Sequence, residues 1–183
     1  MTRLSFFVFN SIVIEIAIYL FLIAAIIPTL YAAITGAPIF STPKKRAREI
    51  LGKLGLKPGD RFFELGTGTG VMLSEVTTIK GIKAVGFELS PFAWAITNIR
   101  LLILMRKGHQ VLLRNFMKED ISSADFIYFF MMPKTIKTVA EYIWNKAKKE
   151  TIVISYVFAI PDKNPYMTLP QTDKYPPVYF YKV

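Results

Sequence analysis

The stretch Arg61-Phe-Phe-Glu-Leu-Gly-Thr-Gly-Thr-Gly70 decides the fold of this 183-residue chain. Its first half is largely apolar and predicts a short buried strand, while its three glycines predict a tight turn that leads into a helix from Val71. A glycine turn at the start of a helix lets backbone N–H groups approach a ligand closely, with the positive end of the helix dipole behind them. The sequence therefore predicts a ligand site at this turn.

Three residues indicate the kind of ligand. A dinucleotide fingerprint, G-x-G-x-x-G, needs a glycine where this chain has Val71. Glu64 precedes the first glycine, and its carboxylate would repel a pyrophosphate but suits the ammonium of an amino acid. Glu88 ends the next predicted strand, where an acidic side chain can accept hydrogen bonds from both hydroxyls of a ribose. A ribose beside an amino acid describes S-adenosylmethionine.

These residues resemble the class I S-adenosylmethionine-dependent methyltransferases. The segment Glu64–Gly70 resembles the first motif of that family, and Glu88 resembles its acidic second motif. The resemblance implies a cofactor site across the carboxyl ends of the first three strands. The candidate cofactor-binding residues are Glu64, Gly66, Thr67, Gly68, Gly70, Glu88, Leu89, Asn115 and Phe116.

The adenine end of this predicted site is less well defined. Most relatives have an aspartate where this chain has Asn115, and the Asn115 amide oxygen can accept the same hydrogen bond from the adenine amino group. Asp120 is the alternative, although it also suits a turn before Ser122. Phe87, Leu89 and Phe116 either sandwich the adenine ring or belong to the core.

Strands and helices alternate along the chain, which predicts an α/β, doubly wound, Rossmann-like sheet of about six or seven strands. Residues 161–177 are rich in Pro, Asp and Asn and predict a loop, so we expect the final helix or one strand of the usual class I ending to be missing. Residues 92–105 are apolar nearly all round, so this helix is either buried on two sides or touches a bilayer; packing against the sheet is preferred. Strands are predicted at 62–65, 83–88, 110–114, 125–131, 151–160 and 178–181, and helices at 43–56, 71–79, 92–105 and 135–149.

Composition excludes several kinds of site. The chain has no cysteine, which excludes a disulfide framework, a thiolate metal site and the iron–sulfur cluster of a radical enzyme. Its single histidine, His109, argues against a histidine metal centre or a Ser-His triad. We therefore expect no metal.

The N-terminal part predicts a membrane anchor. Between Leu4 and Phe40 the only charged side chain is Glu15, and Ile16–Ile34 is long enough to cross the bilayer as a helix. Whether residues 4–15 belong to the span or lie along the interface stays open. A cleaved signal peptide is the alternative, but the apolar run is longer than is usual for one. The expected organisation is a membrane anchor at 1–40 and a methyltransferase domain at 41–183.

Basic residues indicate the orientation and the surroundings. The cluster Lys44–Arg48 follows the apolar segment, so the positive-inside rule predicts a single-pass protein with its N-terminus outside and its catalytic domain on the cytoplasmic side, or its organellar equivalent. Residues 43–56 predict an amphipathic helix whose basic side meets lipid phosphates. The net charge of +10 suits nucleic acid or an anionic membrane, and beside an apolar segment the membrane is favoured and nucleic acid is disfavoured.

The methyl acceptor is expected beyond the fourth strand, at Met131, Met132 and Pro133. Enzymes that methylate exocyclic or amide nitrogens tend to carry Asn/Asp-Pro-Pro-Tyr/Phe here, and this chain has Met-Met-Pro-Lys, which argues against that chemistry. No catalytic base can be named from the sequence. Methyl transfer mainly requires alignment of donor and acceptor and exclusion of water.

The order of features is similar to the membrane-anchored protein-lysine methyltransferases that modify the ATP synthase c subunit and the adenine nucleotide translocase. The resemblance implies a lysine acceptor in a small membrane protein. A small hydrophobic acceptor such as a lipid or quinone is the alternative, followed by RNA and by a non-catalytic membrane scaffold. The resemblance to this family rests on Lys57–Asp60, Glu64–Gly70, Val85–Pro91, and Asp120-Ile-Ser with a strand that ends in Met-Met-Pro.

Overall fold

The computed structural model describes residues 11–23, 26 and 41–183. The chain divides into two units, residues 1–38 and 39–183. In the first unit, residues 11–23 are helical and expose large apolar side chains, among them Phe21 at 72%. Among the described residues no helix is long and apolar enough to cross a membrane. Most of the predicted span (residues 24–25 and 27–34) and residues 4–10 lie outside the described residues.

The second unit is built on one seven-stranded sheet in the order β3-β2-β1-β4-β5-β7-β6. The first five strands are parallel, and β7 lies antiparallel between β5 and β6. The predicted doubly wound α/β sheet is therefore confirmed. The strands are β1 (Arg61–Leu65), β2 (Lys83–Glu88), β3 (His109–Leu113), β4 (Phe126–Phe129), β5 (Ile152–Tyr156), β6 (Met167–Leu169) and β7 (Val178–Lys182).

Helices cover both faces of the sheet. On one face Ile50, Leu73 and Leu101 belong to a common apolar cluster, and on the other face Val139 and Ile143 pack against β4 and β5. A sheet covered on both faces explains why β4 is apolar throughout. The helices are α1 (Lys44–Leu51), α2 (Val71–Val76), α3 (Pro91–Ile103) and α4 (Pro133–Lys146), with a short 3₁₀ helix at Phe116–Lys118.

The C-terminal region differs from the sequence-based expectation. Residues 161–177 were predicted to be a loop, but Met167–Leu169 form β6 and pair with β7. A three-residue strand between Pro165 and Pro170 is too short to give an alternating pattern. All seven strands are present, and within residues 147–183 there is no helix, so the missing element is the final helix.

Helix α3 corrects a second expectation. It begins as predicted, with Ser90 as the N-cap that accepts a hydrogen bond from the Ala93 N–H at 3.3 Å. Packing against the sheet was the preferred prediction for its apolar surface, yet only Ala93, Thr97 and Leu101 are buried. Leu102 and Ile103 are 76% and 72% exposed. One apolar side of the helix is therefore uncovered.

Helix α1 buries Ala47, Ile50 and Leu51 as expected. Three of its basic residues, however, form hydrogen bonds or ion pairs within the domain. Arg46 is 1% exposed and donates to the carbonyl oxygens of Pro170 and Pro176 at 3.1 and 2.7 Å, which fixes the loop before β7. Two further cations of the helix pair with one buried carboxylate: Lys44 and Arg48 lie 3.4 and 2.5 Å from Glu75. The prediction that this basic side faces lipid phosphates is wrong for Arg46, which is wholly buried.

Candidate functional site

The glycine turn between β1 and α2 is held by backbone hydrogen bonds. Gly66, Gly68 and Gly70 have φ of +81°, +53° and +72°, which L side chains adopt only with strain. The N–H groups of Gly66 and Thr67 both donate to the carbonyl oxygen of Phe87 in β2, at 2.9 and 3.1 Å. The turn is therefore tied to the strand that ends in Glu88.

Close packing from α3 fixes the same turn. A Cβ on Gly70 would lie 2.6 Å from Cγ2 of Thr97, and a Cβ on Gly86 would lie 2.4 Å from Cγ2 of Thr67. Thr97 is completely buried, and its hydroxyl donates to the Gly68 carbonyl at 3.1 Å. The sequence-based reasoning missed Gly86 and Thr97; a glycine inside a strand is the signal that a neighbour approaches closely.

Glu64, the last residue but one of β1, carries a buried carboxyl group. It is 4% exposed, and its Oε2 has no hydrogen-bond partner in the described part of the chain. Burial raises the pKa of Glu64 well above its ordinary value, the Leu73 backbone N–H opposes this, and the negative charge of Glu88 adds to it. A cationic group at this position would supply the missing partner and favour the ionised form.

Glu88 lies on the other side of the turn and accepts three backbone hydrogen bonds. The N–H of Gly68 donates to Oε2 at 2.9 Å, and the N–H groups of Leu89 and Ser90 both donate to Oε1 at 2.9 Å. A carboxylate has about four acceptor positions, so at least one remains on Oε2. Glu88 thus joins the glycine turn to the start of α3 and presents a fixed acceptor beside it.

The third strand contributes Asn115 and Phe116. The Asn115 amide oxygen accepts from the Met117 N–H at 3.0 Å and so caps the 3₁₀ helix, a role that sequence reasoning did not foresee. Phe116 is 9% exposed and packs against Tyr142. Asp120 accepts from the Ser122 N–H at 2.9 Å, as the turn interpretation predicted.

Two of the three candidate adenine-contacting side chains are buried. Phe87 is 3% exposed and makes an edge-to-face contact with Phe63 at 5.7 Å, so it belongs to the core, as does Phe116. Leu89 is 47% exposed directly after Glu88 and remains accessible to a ligand.

The candidate acceptor pocket lies beside the first glycine. Met131 Cε is 3.8 Å from the position of a Cβ on Gly66, and both Met131 and Met132 are partly exposed. Pro133 is exposed and begins α4. The structure thus brings the end of β4 to the glycine turn; the role of these three residues in binding an acceptor stays a prediction.

Sequence reasoning missed the segment before α1. The Thr69 hydroxyl donates to Ser41 Oγ at 2.8 Å, and Thr42 Oγ1 is 2.5 Å from the Tyr128 hydroxyl. Tyr128 pairs with Glu64 across β1 and β4, and burial raises its pKa, opposed by the Thr42 hydrogen bond and reinforced by Glu64. This segment therefore lies over the turn. No local pattern reveals it, because Thr42 and Tyr128 are 86 residues apart.

Comparison with known proteins gives one family. Residues 64–167, more than half of the chain, match the family model described as the ANTKMT methyltransferase domain. No curated protein matches the chain in sequence. The matched region contains the glycine turn, Glu88 and Met131–Pro133.

Solved structures share the fold at low sequence identity. An RNA methyltransferase from Salinibacter ruber in complex with S-adenosyl-L-homocysteine has a TM-score of 0.73 at 19% identity, over 78% of this chain and 93% of that one. An S-adenosylmethionine-dependent methyltransferase from Aquifex aeolicus has a TM-score of 0.58 at 16% identity, over 74% and 88%. An O-methyltransferase from Thermotoga maritima has a TM-score of 0.56 at 18% identity, over 63% of this chain and 44% of that one. At these identities the likeness concerns the fold alone.

Proposed function

We propose that this chain, which belongs to the ANTKMT methyltransferase domain family and is therefore an S-adenosylmethionine-dependent methyltransferase, transfers methyl groups to lysine side chains of a membrane protein. The observation that carries the methyl-donor part of the proposal is the pair of carboxyl groups at the glycine turn. Glu64 is buried with an unpartnered oxygen, and Glu88 is held by three backbone N–H groups.

The site residues fit the two ends of this cofactor. Glu64 offers its carboxylate to the ammonium of the methionine part, where the cation offsets the cost of burying a charge. Glu88 offers the remaining acceptor position to the ribose, and the exposed Leu89 offers apolar contact to the adenine. S-adenosylmethionine held by these residues would supply a methyl group activated by its sulfonium centre, and a neutral amine is the form of a lysine side chain that could accept it.

The acceptor side is apolar, which suits a lysine that must react as the neutral amine. Met131 lies beside Gly66, Met132 follows it and is partly exposed, and neither side chain titrates. Desolvation among apolar groups favours the uncharged form of an amine, so the pocket can promote loss of the proton without a dedicated base. The side chains then need only hold the amine in line with the donor and exclude water.

The membrane location belongs to the same proposal. The apolar run at Ile16–Ile34 and the exposed apolar side chains of residues 11–23 support an N-terminal anchor. The basic residues that follow support a catalytic domain on the cytoplasmic or equivalent side. An anchor would confine the enzyme to the plane of its substrate and so raise its effective concentration there.

A small hydrophobic acceptor, such as a lipid or quinone, is the second candidate. The observation that favours it is the apolar lining at Met131 and Met132 together with the exposed apolar side of α3. RNA is disfavoured, because large exposed aliphatic groups do not suit a polyanion. The intact glycine turn argues against a non-catalytic scaffold.

One labelling experiment separates these acceptors. Membranes from a strain that lacks the gene are incubated with the purified full chain and S-adenosylmethionine tritiated in the methyl group, then divided into protein, lipid and RNA fractions. We expect label in a small membrane protein that yields methyl-lysine on hydrolysis, and clearly less label with Glu88→Ala at the same low concentration of S-adenosylmethionine. Label in the organic phase would instead identify a lipid or quinone as the methyl acceptor. The absence of label from every fraction would contradict catalysis.

A further inference from the structure

Helix α3 and the residues directly after it present several large apolar side chains to solvent. Phe92, Ile99 and Ile103 recur at helical spacing on one side, with Leu102 and Met105 beside them; we call these five residues the α3 ridge. The exposed fraction is 44% for Phe92, 55% for Ile99, 76% for Leu102, 72% for Ile103 and 84% for Met105. Because residues four and seven apart lie on the same side of a helix, Phe92, Ile99 and Ile103 share one side of α3, with Leu102 next to it and Met105 just after the end of the helix.

The fully buried side of α3 is less bulky than its exposed side. It carries Ala93, Thr97 and Leu101, and Thr97 is used to hold the Gly68 carbonyl. Trp94 is partly buried, and its indole N–H donates to the Val111 carbonyl at 3.0 Å. An ordinary surface helix has the opposite arrangement, with its bulky apolar groups turned inwards. Val111 in the edge strand β3 packs against the apolar cluster that contains Leu101, so it lies on the sheet face that α3 covers. Leu113, two residues further at the end of β3, lies on the same face and is 46% exposed, so it extends the apolar area. Contiguous apolar areas of this kind mark an interaction surface.

The charges around the α3 ridge are of one sign. Residues 89–118 contain no aspartate or glutamate, and five cations: Arg100, Arg106, Lys107, Arg114 and Lys118. Within the described part of the chain only Arg114 of these five forms an ion pair, with Glu119 at 3.2 Å. Arg100 also donates to the Thr69 carbonyl at 2.7 Å, which leaves Arg106, Lys107 and Lys118 as the cations with neither contact among the described residues. An apolar strip accompanied by such cations matches the interfacial region of an anionic bilayer, where apolar groups enter among the acyl chains and cations meet phosphates.

We infer that the α3 ridge lies in the headgroup region of an anionic membrane and docks the catalytic domain on it. A second copy of the chain fits less well, because two such surfaces would bring eight cations together, four from each copy, that form no ion pair within the described part of the chain. The inference rests on the proposed membrane location but not on the identity of the acceptor.

The position of the ridge has a consequence for the site. Helix α3 begins directly after Glu88 and Leu89, so the cofactor end of the sheet lies at one end of the docked helix. A ridge lying on the bilayer holds the opening beside Leu89 near the headgroups. The acceptor group is then one that a membrane protein presents close to the membrane surface, rather than on a long soluble domain.

The test uses the absence of cysteine from the chain, since single cysteines can be introduced and labelled with an environment-sensitive fluorophore. Three full-length variants are compared: Ile103→Cys on the α3 ridge, Thr168→Cys on β6 at the far edge of the sheet, and Ile18→Cys in the N-terminal helical segment. Each is reconstituted in phosphatidylcholine vesicles with and without phosphatidylserine, and the lipids carry a nitroxide quencher near the headgroup.

We expect the Ile103→Cys label to lose most of its fluorescence in vesicles with phosphatidylserine and less without it, while the Thr168→Cys label is unaffected in both. An unquenched Ile103→Cys label beside a quenched Ile18→Cys label would overturn the docking inference and leave the anchor intact. If neither label is quenched, the membrane location fails, and the inference fails with it. An Ile103→Cys signal that depends on protein concentration and not on the quencher would assign the surface to a second protein copy instead.

Discussion

Replacing Glu88 with alanine is expected to weaken the binding of S-adenosyl-L-homocysteine by about 5- to 150-fold, because a hydrogen-bonded charged acceptor contributes roughly 1–3 kcal/mol. The substitution removes the acceptor for the ribose and also releases the N–H groups of Gly68, Leu89 and Ser90. The glycine turn and the start of α3 then lose their common anchor. Calorimetric titration of the detergent-solubilised protein measures the change.

Glu88→Gln is the matched control for this prediction. The amide keeps one acceptor oxygen of the same shape, so its effect should fall between those of the wild type and Glu88→Ala. Thermal unfolding of each variant shows whether the fold is intact. An affinity that stays within twofold of the wild type in a folded Glu88→Ala protein would place the ribose elsewhere.

Gly70→Ala is expected to lower the free energy of unfolding by roughly 2–5 kcal/mol and to abolish cofactor binding at ordinary concentrations. The φ of +72° alone costs an L residue about 1–2 kcal/mol. The new Cβ would also lie 2.6 Å from Cγ2 of Thr97, and overpacking of this kind costs about 1–3 kcal/mol. Thr97 has little freedom to retreat, because it is completely buried and holds the Gly68 carbonyl.

Gly55→Ala separates the two contributions. Gly55 also has a positive φ, +59°, but a Cβ there meets no atom within 4 Å, so this variant carries only the conformational cost. Urea unfolding of the two variants in the same detergent should therefore show Gly70→Ala as clearly the less stable. Equal stabilities would mean that the turn is not packed against α3 as described.

The parts of the site that the sequence revealed are those in which neighbouring residues carry the information. The glycines, Glu64 and Glu88 stand at strand ends that hydrophobic runs locate, and parallel strands bring their carboxyl ends to one edge of the sheet. Ser90 and Pro91 likewise mark the start of α3 through local backbone chemistry. These features need no knowledge of distant contacts.

The parts that the sequence did not reveal depend on partners far along the chain. Arg46 looks like a solvent-facing cation until the carbonyls of Pro170 and Pro176 surround it. Thr42 reaches Tyr128, and Thr97 reaches Gly68, through packing that no periodicity encodes. Such contacts can be identified only once the three-dimensional fold is known.

Helix α3 shows a different limit of prediction from the sequence. Its apolar residues indicate burial in some apolar surroundings, but they do not say whether those surroundings are the sheet or a membrane. The fully buried side of α3 carries Ala93, Thr97 and Leu101, while Phe92, Ile99, Leu102 and Ile103 are exposed. Composition alone cannot assign the two sides of the helix.

We propose that Glu64 binds the amino-acid end of the cofactor while Glu88 binds the ribose. The most direct test titrates the wild type and Glu64→Gln with two ligands, S-adenosyl-L-homocysteine and 5′-methylthioadenosine, which lacks the amino-acid group. Gln is nearly isosteric with Glu64, and the carboxyl group is wholly buried, so the fold should not depend on its charge.

Glu64→Gln should weaken the binding of S-adenosyl-L-homocysteine by about 10- to 150-fold, because a hydrogen bond to a charged group contributes roughly 1.5–3 kcal/mol. The affinity for 5′-methylthioadenosine should be unchanged. An equal loss for both ligands, or tight binding of a nicotinamide dinucleotide in place of either, would contradict the assignment of Glu64 to the ammonium.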